Sequence, residues 1–242
     1  MCDFRADEVV KSKDIIAKFI EIGLSNVNIG IESMTQSQLN FYCKTTTVQQ
    51  NILTLQILCD LGVNFTMGIM MFDPIVSVSD IHETLEVFRR IEIHKRQYNV
   101  NRPLSIGSSV VATMGTPLFD YVVEHGLYEN NENNYRFLHD KTKLCYDIVN
   151  EWSKSVIPLF NKNYLYYAAK ENDRSDLVQE IVLLYEKLFD LDLRFLLEVT
   201  NGILDGTISD AASCPAASHY DLELQSVKVH LQELEEHSKA YL

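Results

Sequence analysis

Three charged residues stand where short apolar runs give out. Arg5 closes "CDFR", Glu32 closes the alternating run "NVNIGIE", and Lys44 precedes the threonines of "YCKTTT". A guanidinium fork binds a carboxylate through two parallel hydrogen bonds, and an ammonium group binds one as a point charge. A carboxylate at a strand end can accept hydrogen bonds from a ribose or an amino group. In parallel α/β architectures ligands bind beyond the carboxyl ends of the strands, which is where these positions fall. Each residue also has a plainer reading: Glu32 as the start of a surface turn, Arg5 as half of a surface salt bridge, and Lys44 as a solvated cation.

Other residues carry less chemistry. Asp73-Pro74 reads as a strand terminator at the same rim, and Gly115-Thr116-Pro117 as a tight turn entering a helix. The seven histidines lack metal-ligand spacing; His82-Glu83 does not extend to H-E-x-x-H. No nucleophile elbow or phosphate-binding Walker loop is present. Cys43 lies beside a cation that could lower its pKa, or is simply buried.

The elements that must position these residues follow from periodicity. Strands are expected at 2–6, 26–31, 63–72 and 103–113. Helices are expected at 12–24, over "TQSQLNFYC" behind a Thr35/Gln38 capping box, from a Thr47/Gln50 box to Leu61, and after a cap at Ser79 or Asp80. The run "VNFTMGIMMF" reads as a strand covered on both faces. Alternating strands and helices imply a parallel sheet. From 118 onward the pattern is helical, with a polar break at "NNENN", helices at 140–158, 174–204 and 220–241, and a linker at 205–218.

The bulk numbers narrow the class. The 242 residues are 46% hydrophobic, so a sizeable core is expected. A net charge of −13 argues against a partner as acidic as nucleic acid. No stretch reaches the about 20 apolar residues of a membrane span, and the first residues lack the pattern of a secretion signal. Five cysteines at irregular spacing suggest reduced thiols and a cytoplasmic setting, not a disulfide framework.

In this order "FRAD", "GLSNVNIGIES", "YCKTTT", "GVNFTMGIMMFDP" and "GTPLFDYVVEHGLY" resemble successive pieces of the radical S-adenosylmethionine (SAM) superfamily, over residues 2–128. The "MMFDP" ending is similar to cobalamin-binding members. The resemblance implies an α/β fold, with a partial parallel (β/α) barrel of about four strand–helix units over 1–128 and an α-helical region over 129–242. It implies that Arg5, Glu32 and Lys44 bind SAM, with Arg5 and Lys44 facing the carboxylate. In that family an electron from a 4Fe–4S cluster cleaves SAM to a 5′-deoxyadenosyl radical.

The chain departs from the family in lacking the C-x-x-x-C-x-x-C loop and the Gly-Gly-Glu-type strand, and Met114 replaces the usual Pro. Cluster ligation needs converging thiolates. The expectation is therefore the C-terminal part of a radical SAM enzyme, beginning at the third barrel strand and with no catalytic residue for radical chemistry of its own. A 4Fe–4S cluster would come with an upstream segment or partner subunit, cobalamin use is left open, and the substrate would be a small molecule or a peptide. The alternative is a cluster-free, degenerate barrel acting as a binding or scaffold subunit. On the first reading strand 2–5 is an exposed edge, helix 12–24 has an uncovered face, and the isolated chain self-associates.

Overall fold

The computed structural model describes residues 2–93, 109–214 and 216–238. It is a mixed α/β structure, with a parallel three-stranded sheet in the order β1-β2-β3 and helices making up most of the rest. The strands are β1 (Cys2–Arg5), β2 (Asn26–Glu32) and β3 (Asn64–Ile69). Register aligns Asp3 with Asn28 and Arg5 with Gly30, and β2 with β3 through Asn28–Thr66 and Gly30–Gly68. Most of the expected strand 103–113 lies outside the described residues. In its described part, Ser109 forms an isolated parallel bridge to Phe72, and 110–113 are not strand.

The strands are amphipathic, which explains the charge at the end of β2. Val27, Ile29 and Ile31 are buried, while Asn26, Asn28, Gly30 and Glu32 alternate with them and are half-buried. Glu32 thus continues a polar face in phase. β3 is not covered on both faces as expected: it is shorter than 63–72, and Thr66 and Gly68 share the polar side with Asn28, leaving Gly68 exposed.

Helices fill the crossovers. The first strand stops at Arg5, and helix α1 (Ala6–Lys11), absent from the sequence reading, follows at once. Asp7 and Glu8 favour its positive N-terminal end, and the Glu8 carboxylate accepts the Arg5 N–H at 3.1 Å. Next come α2 (Lys13–Glu21), α3 (Gln36–Phe41), α4 (Val48–Asp60) and α5 (Val78–Arg90). The Thr47/Gln50 capping box forms as expected. The box at α5 is Ser77/Asp80, so the cap precedes the expected Ser79 or Asp80 and Asp80 is its reciprocal partner. Thr116 caps α6 (Pro117–Glu124), with Pro117 in the first turn, where its missing N–H costs nothing.

The helical region contains α7 (Asp140–Phe160), α8 (Tyr164–Glu171), α9 (Ser175–Asp205) and α10 (Ala216–Ser238); α8 is the one unexpected helix among these. The polar run 130–134 is an ordered bracket: Asn131 Oδ1 accepts from the Asn133 and Tyr135 amides, and Asn134 Nδ2 donates to the Ala112 carbonyl. Within 205–218, Gly206 ends α9 at φ 83° and a short 3-10 turn spans Ala211–Ser213. The helical region docks on α5, where His82 Nδ1 meets the Thr200 hydroxyl at 2.9 Å. Within it Trp152 stacks on Phe195 at 4.1 Å and donates from Nε1 to the buried Asp192 carboxylate at 2.8 Å. One apolar core runs from Ala6 to Leu234.

Candidate functional site

The carboxyl ends of β1 and β2 bring the three expected residues to one rim. β2 is irregular between Gly30 and Glu32, and Glu32 takes the left-handed backbone conformation, φ 66°. A non-glycine residue there costs about 1–2 kcal/mol, and such strain is held only where its surroundings enforce it. Asn51 does so from α4. Fully buried, its Nδ2 donates to the carbonyls of Ile31 and Ser33 at 2.8 and 2.9 Å, on both sides of Glu32. The carboxylate then folds back over Gly30, where an added Cβ would lie 2.9 Å from Glu32 Oε1.

Lys44 reaches Glu32 from the next loop, with Nζ 3.2 Å from Oε1. It is carried by a helix-terminating turn at the end of α3. Cys43 adopts φ 52°, the Cys43 N–H donates to Asn40, and the Lys44 N–H donates to Leu39 at 2.8 Å. This is the hydrogen-bond pattern usually completed by glycine. Arg5 joins from β1: its Nη2 donates to the Thr45 hydroxyl at 2.6 Å and its Nε to Asp7 Oδ1 at 3.1 Å. Hydrogen bonds from Lys11 and then Arg5 hold the Asp7 carboxyl below its usual range. Arg5 remains 60% exposed, Lys44 39% and Glu32 28%. These charges are open to solvent and already paired in part, an arrangement suited to exchange with a ligand.

Below the rim lies a cavity of about 730 Å³ against the polar sheet face. Asp3, Asn28 and Thr66 line it, with Asn161 and Asn163 from the turn after α7. Asn28 donates to Asp3 across the strands at 2.7 Å.

Asp73 is not at the open rim. It is fully buried, accepts the Ile75 and Val76 amides at 2.8 and 2.6 Å, and shapes the turn out of the sheet, as the strand-terminator reading expects. Its other oxygen accepts Gln38 Nε2 at 2.6 Å. Gln38 is thereby drawn away from the local box with Thr35, which does not form. Burial pushes the Asp73 carboxyl above its ordinary range, although these hydrogen bonds oppose the shift. Sequence reasoning missed Asn51 and Gln38; their signal was an amide in the apolar face of a helix.

An amino-acid zwitterion fits this donor set: Arg5 and Lys44 match a carboxylate, and Glu32 matches an ammonium group. The methionine end of SAM is such a group. A 4Fe–4S cluster does not fit the cysteines of this chain. Cys2 and Cys43 are exposed, Cys145 is buried with its thiol pushed up to about 12 by burial, and no three His, Cys, Asp or Glu among the described residues could hold a metal ion. Among those residues no helix is long and apolar enough to cross a membrane.

No family model matches the chain. It is similar to 4'-phospho-dehydrooxetanocin synthase of Priestia megaterium, at 30% identity over 145 residues, 59% of this chain and 17% of that protein. Its fold is similar to the structure of the cobalamin-dependent S-adenosylmethionine radical enzyme OxsB with aqua-cobalamin bound, with a TM-score of 0.61 at 17% identity over 100% of this chain and 42% of the other. The apo, selenomethionine-labelled OxsB structure gives a TM-score of 0.65 at 16% identity, over 98% and 42%. The chain therefore spans less than half the length of these relatives. The resemblance to cobalamin-binding radical SAM proteins carried by the motifs agrees with the fold of these structures.

Proposed function

We propose that this chain, related as it is to cobalamin-dependent radical SAM enzymes, forms the part of a partial (β/α) barrel whose rim binds SAM by its amino-acid end. The observation that supports it is the convergence of Glu32, Lys44 and Arg5, from three separate segments, on one strand-end rim. In this reading Lys44 and Arg5 receive the SAM carboxylate and Glu32 its ammonium group. Glu32 then exchanges an internal cation for one on the ligand, so the rim changes partners without leaving a charge uncovered. When bound, SAM supplies a sulfonium primed for reductive cleavage. The electron for that step would come from a cluster held by residues other than these 242, in an upstream segment or a partner subunit. Cobalamin use rests on the relatives alone.

Two surfaces favour completion by further barrel structure. β1 pairs only with β2 among the described strands, and its Cys2, Asp3 and Arg5 are exposed. Beside it in the chain, α2 and its C-cap expose Ile15 (55%), Phe19 (43%) and Ile22 (82%), the spacing of one helical face. A further strand–helix unit would pair the edge and cover the stripe.

Calorimetric titration with SAM tests the rim. Saturable binding is expected, weakened about tenfold or more by Lys44→Met and by Glu32→Gln, the loss of a charge-assisted contact. Wild-type affinity in both variants overturns the assignment. Failure of the wild type to bind SAM at millimolar concentration, with co-purification of a partner protein, favours the cluster-free scaffold reading.

A further inference from the structure

The turn that carries Lys44 is anchored by a side chain six residues earlier. α3 has only six residues and gains little stability alone. Gln38, 5% exposed, projects from it to the end of β3, where one amide hydrogen meets Asp73 Oδ2 at 2.6 Å and the other the Met70 carbonyl at 3.0 Å. The Met70 N–H in turn donates to the Glu32 carbonyl at 2.7 Å. Met70 thus holds Gln38 on its oxygen and Glu32 on its nitrogen, linking the helix that leads to Lys44 with the backbone of the residue Lys44 contacts. The Gln38 carbonyl accepts from Tyr42, and the next carbonyl, Leu39, accepts from Lys44 itself.

The acceptor end of this link is built for the purpose. The Asp73 carboxylate is satisfied by the Ile75 and Val76 amides and by Gln38. Two phenols, Tyr42 and Tyr135, lie within its field with buried hydroxyls. A buried carboxylate is costly unless its lone pairs are satisfied. Ordinary helix capping offered Gln38 a local alternative at Thr35, and a strand terminator needs only the Ile75 and Val76 bonds. The Gln38–Asp73 contact serves neither purpose.

We infer that Gln38 and Asp73 are positioning residues that lock the Lys44 turn onto the end of β3, holding the Lys44 ammonium at Glu32 for the carboxylate of an amino-acid-bearing ligand. The ligand half of this statement rests on the SAM-binding reading above; the positioning half does not. Neither residue touches the ligand, so both act through Lys44.

The test uses Gln38→Met, similar in length but without hydrogen bonds, and two readouts. Amide hydrogen exchange, resolved by NMR, reports whether the Lys44 N–H is still held. Titration with SAM and with 5′-methylthioadenosine, which lacks the amino-acid end, reports whether the change concerns carboxylate recognition. Expected are at least about tenfold faster exchange at Lys44, SAM affinity about fivefold or more lower, and 5′-methylthioadenosine affinity changed less than about twofold. General destabilisation would instead weaken both ligands alike, and that outcome overturns the positioning role. Unchanged exchange at Lys44 overturns it whether or not SAM binds. Faster exchange in a protein whose wild type binds no SAM upholds the lock and removes the SAM reading. If Gln38→Met does not fold, Asp73→Asn serves. Its Oδ1 still accepts from Ile75 and Val76, but its new amide confronts Gln38 Nε2, which must give up either that contact or Met70, and the same changes are expected.

Discussion

A methyl group at position 30 would lie 2.9 Å from the Glu32 carboxylate, so Gly30→Ala is expected to push that carboxylate off Lys44. Because the clash is with the tip of a flexible side chain, stability should fall by no more than about 1 kcal/mol while SAM affinity falls several-fold. Calorimetry with parallel urea denaturation separates the two effects. Asp73 offers a pH test. Its folded-state pKa is raised, chiefly by burial, so the folded protein takes up that proton more readily than the unfolded chain, and the associated stability is present at low pH and lost as pH rises through the folded value. The stability of the wild type relative to Asp73→Asn should therefore improve on acidification from pH 7 towards the ordinary carboxyl range; denaturant midpoints at several pH values would show it. A constant difference would mean the carboxylate does not bear that strain. The thiols provide a third check. Cys2 and Cys43 are exposed whereas Cys145 is buried with a raised pKa, so a thiol reagent should label the first two in the native protein and Cys145 only on unfolding, as peptide mass spectrometry would reveal.

Among the elements, the capping boxes show when a local motif survives. Thr47 and Gln50 form theirs at an exposed helix start, where nothing competes. Thr47→Ala should cost about 1 kcal/mol of stability. The equivalent pattern at Thr35 fails because Gln38 faces a buried acceptor, and a hydrogen bond to a charged group outweighs a neutral cap. In the helical region α7 and α9 meet through Trp152 and Asp192. Trp152→Phe keeps the stack but removes one hydrogen bond to the buried Asp192 carboxylate, and is expected to cost about 1.5–3 kcal/mol by circular dichroism in urea. A cost below about 0.5 kcal/mol would show that the Trp152 hydrogen bond contributes little to the joint between α7 and α9.

For the molecule as a whole, the exposed edge of β1 and the Ile15–Phe19–Ile22 stripe predict self-association of the isolated chain. Light scattering after size exclusion should show species larger than 27.8 kDa. Ile15→Lys with Ile22→Glu should shift them towards monomer without loss of helix content, since both side chains are already exposed. A monodisperse wild-type monomer would mean that these surfaces carry no partner.

The sequence by itself determined the strand–helix alternation, the parallel order, most helix spans and the rim positions of Arg5, Glu32 and Lys44, because hydrophobic period and turn residues act over a few neighbours. It also carried, through ordered motifs, the similarity to radical SAM proteins. Only the tertiary structure decided that Glu32 meets Lys44, that Arg5 reaches Thr45, and that Asn51 and Gln38 brace the strand ends. Those contacts join residues 12 to 40 positions apart, and a side chain's partner at that range depends on which acceptors the packing buries. Gln38 shows the difference: its spacing from Thr35 promised a cap, and the buried carboxylate of Asp73, 35 residues further on, was the stronger acceptor.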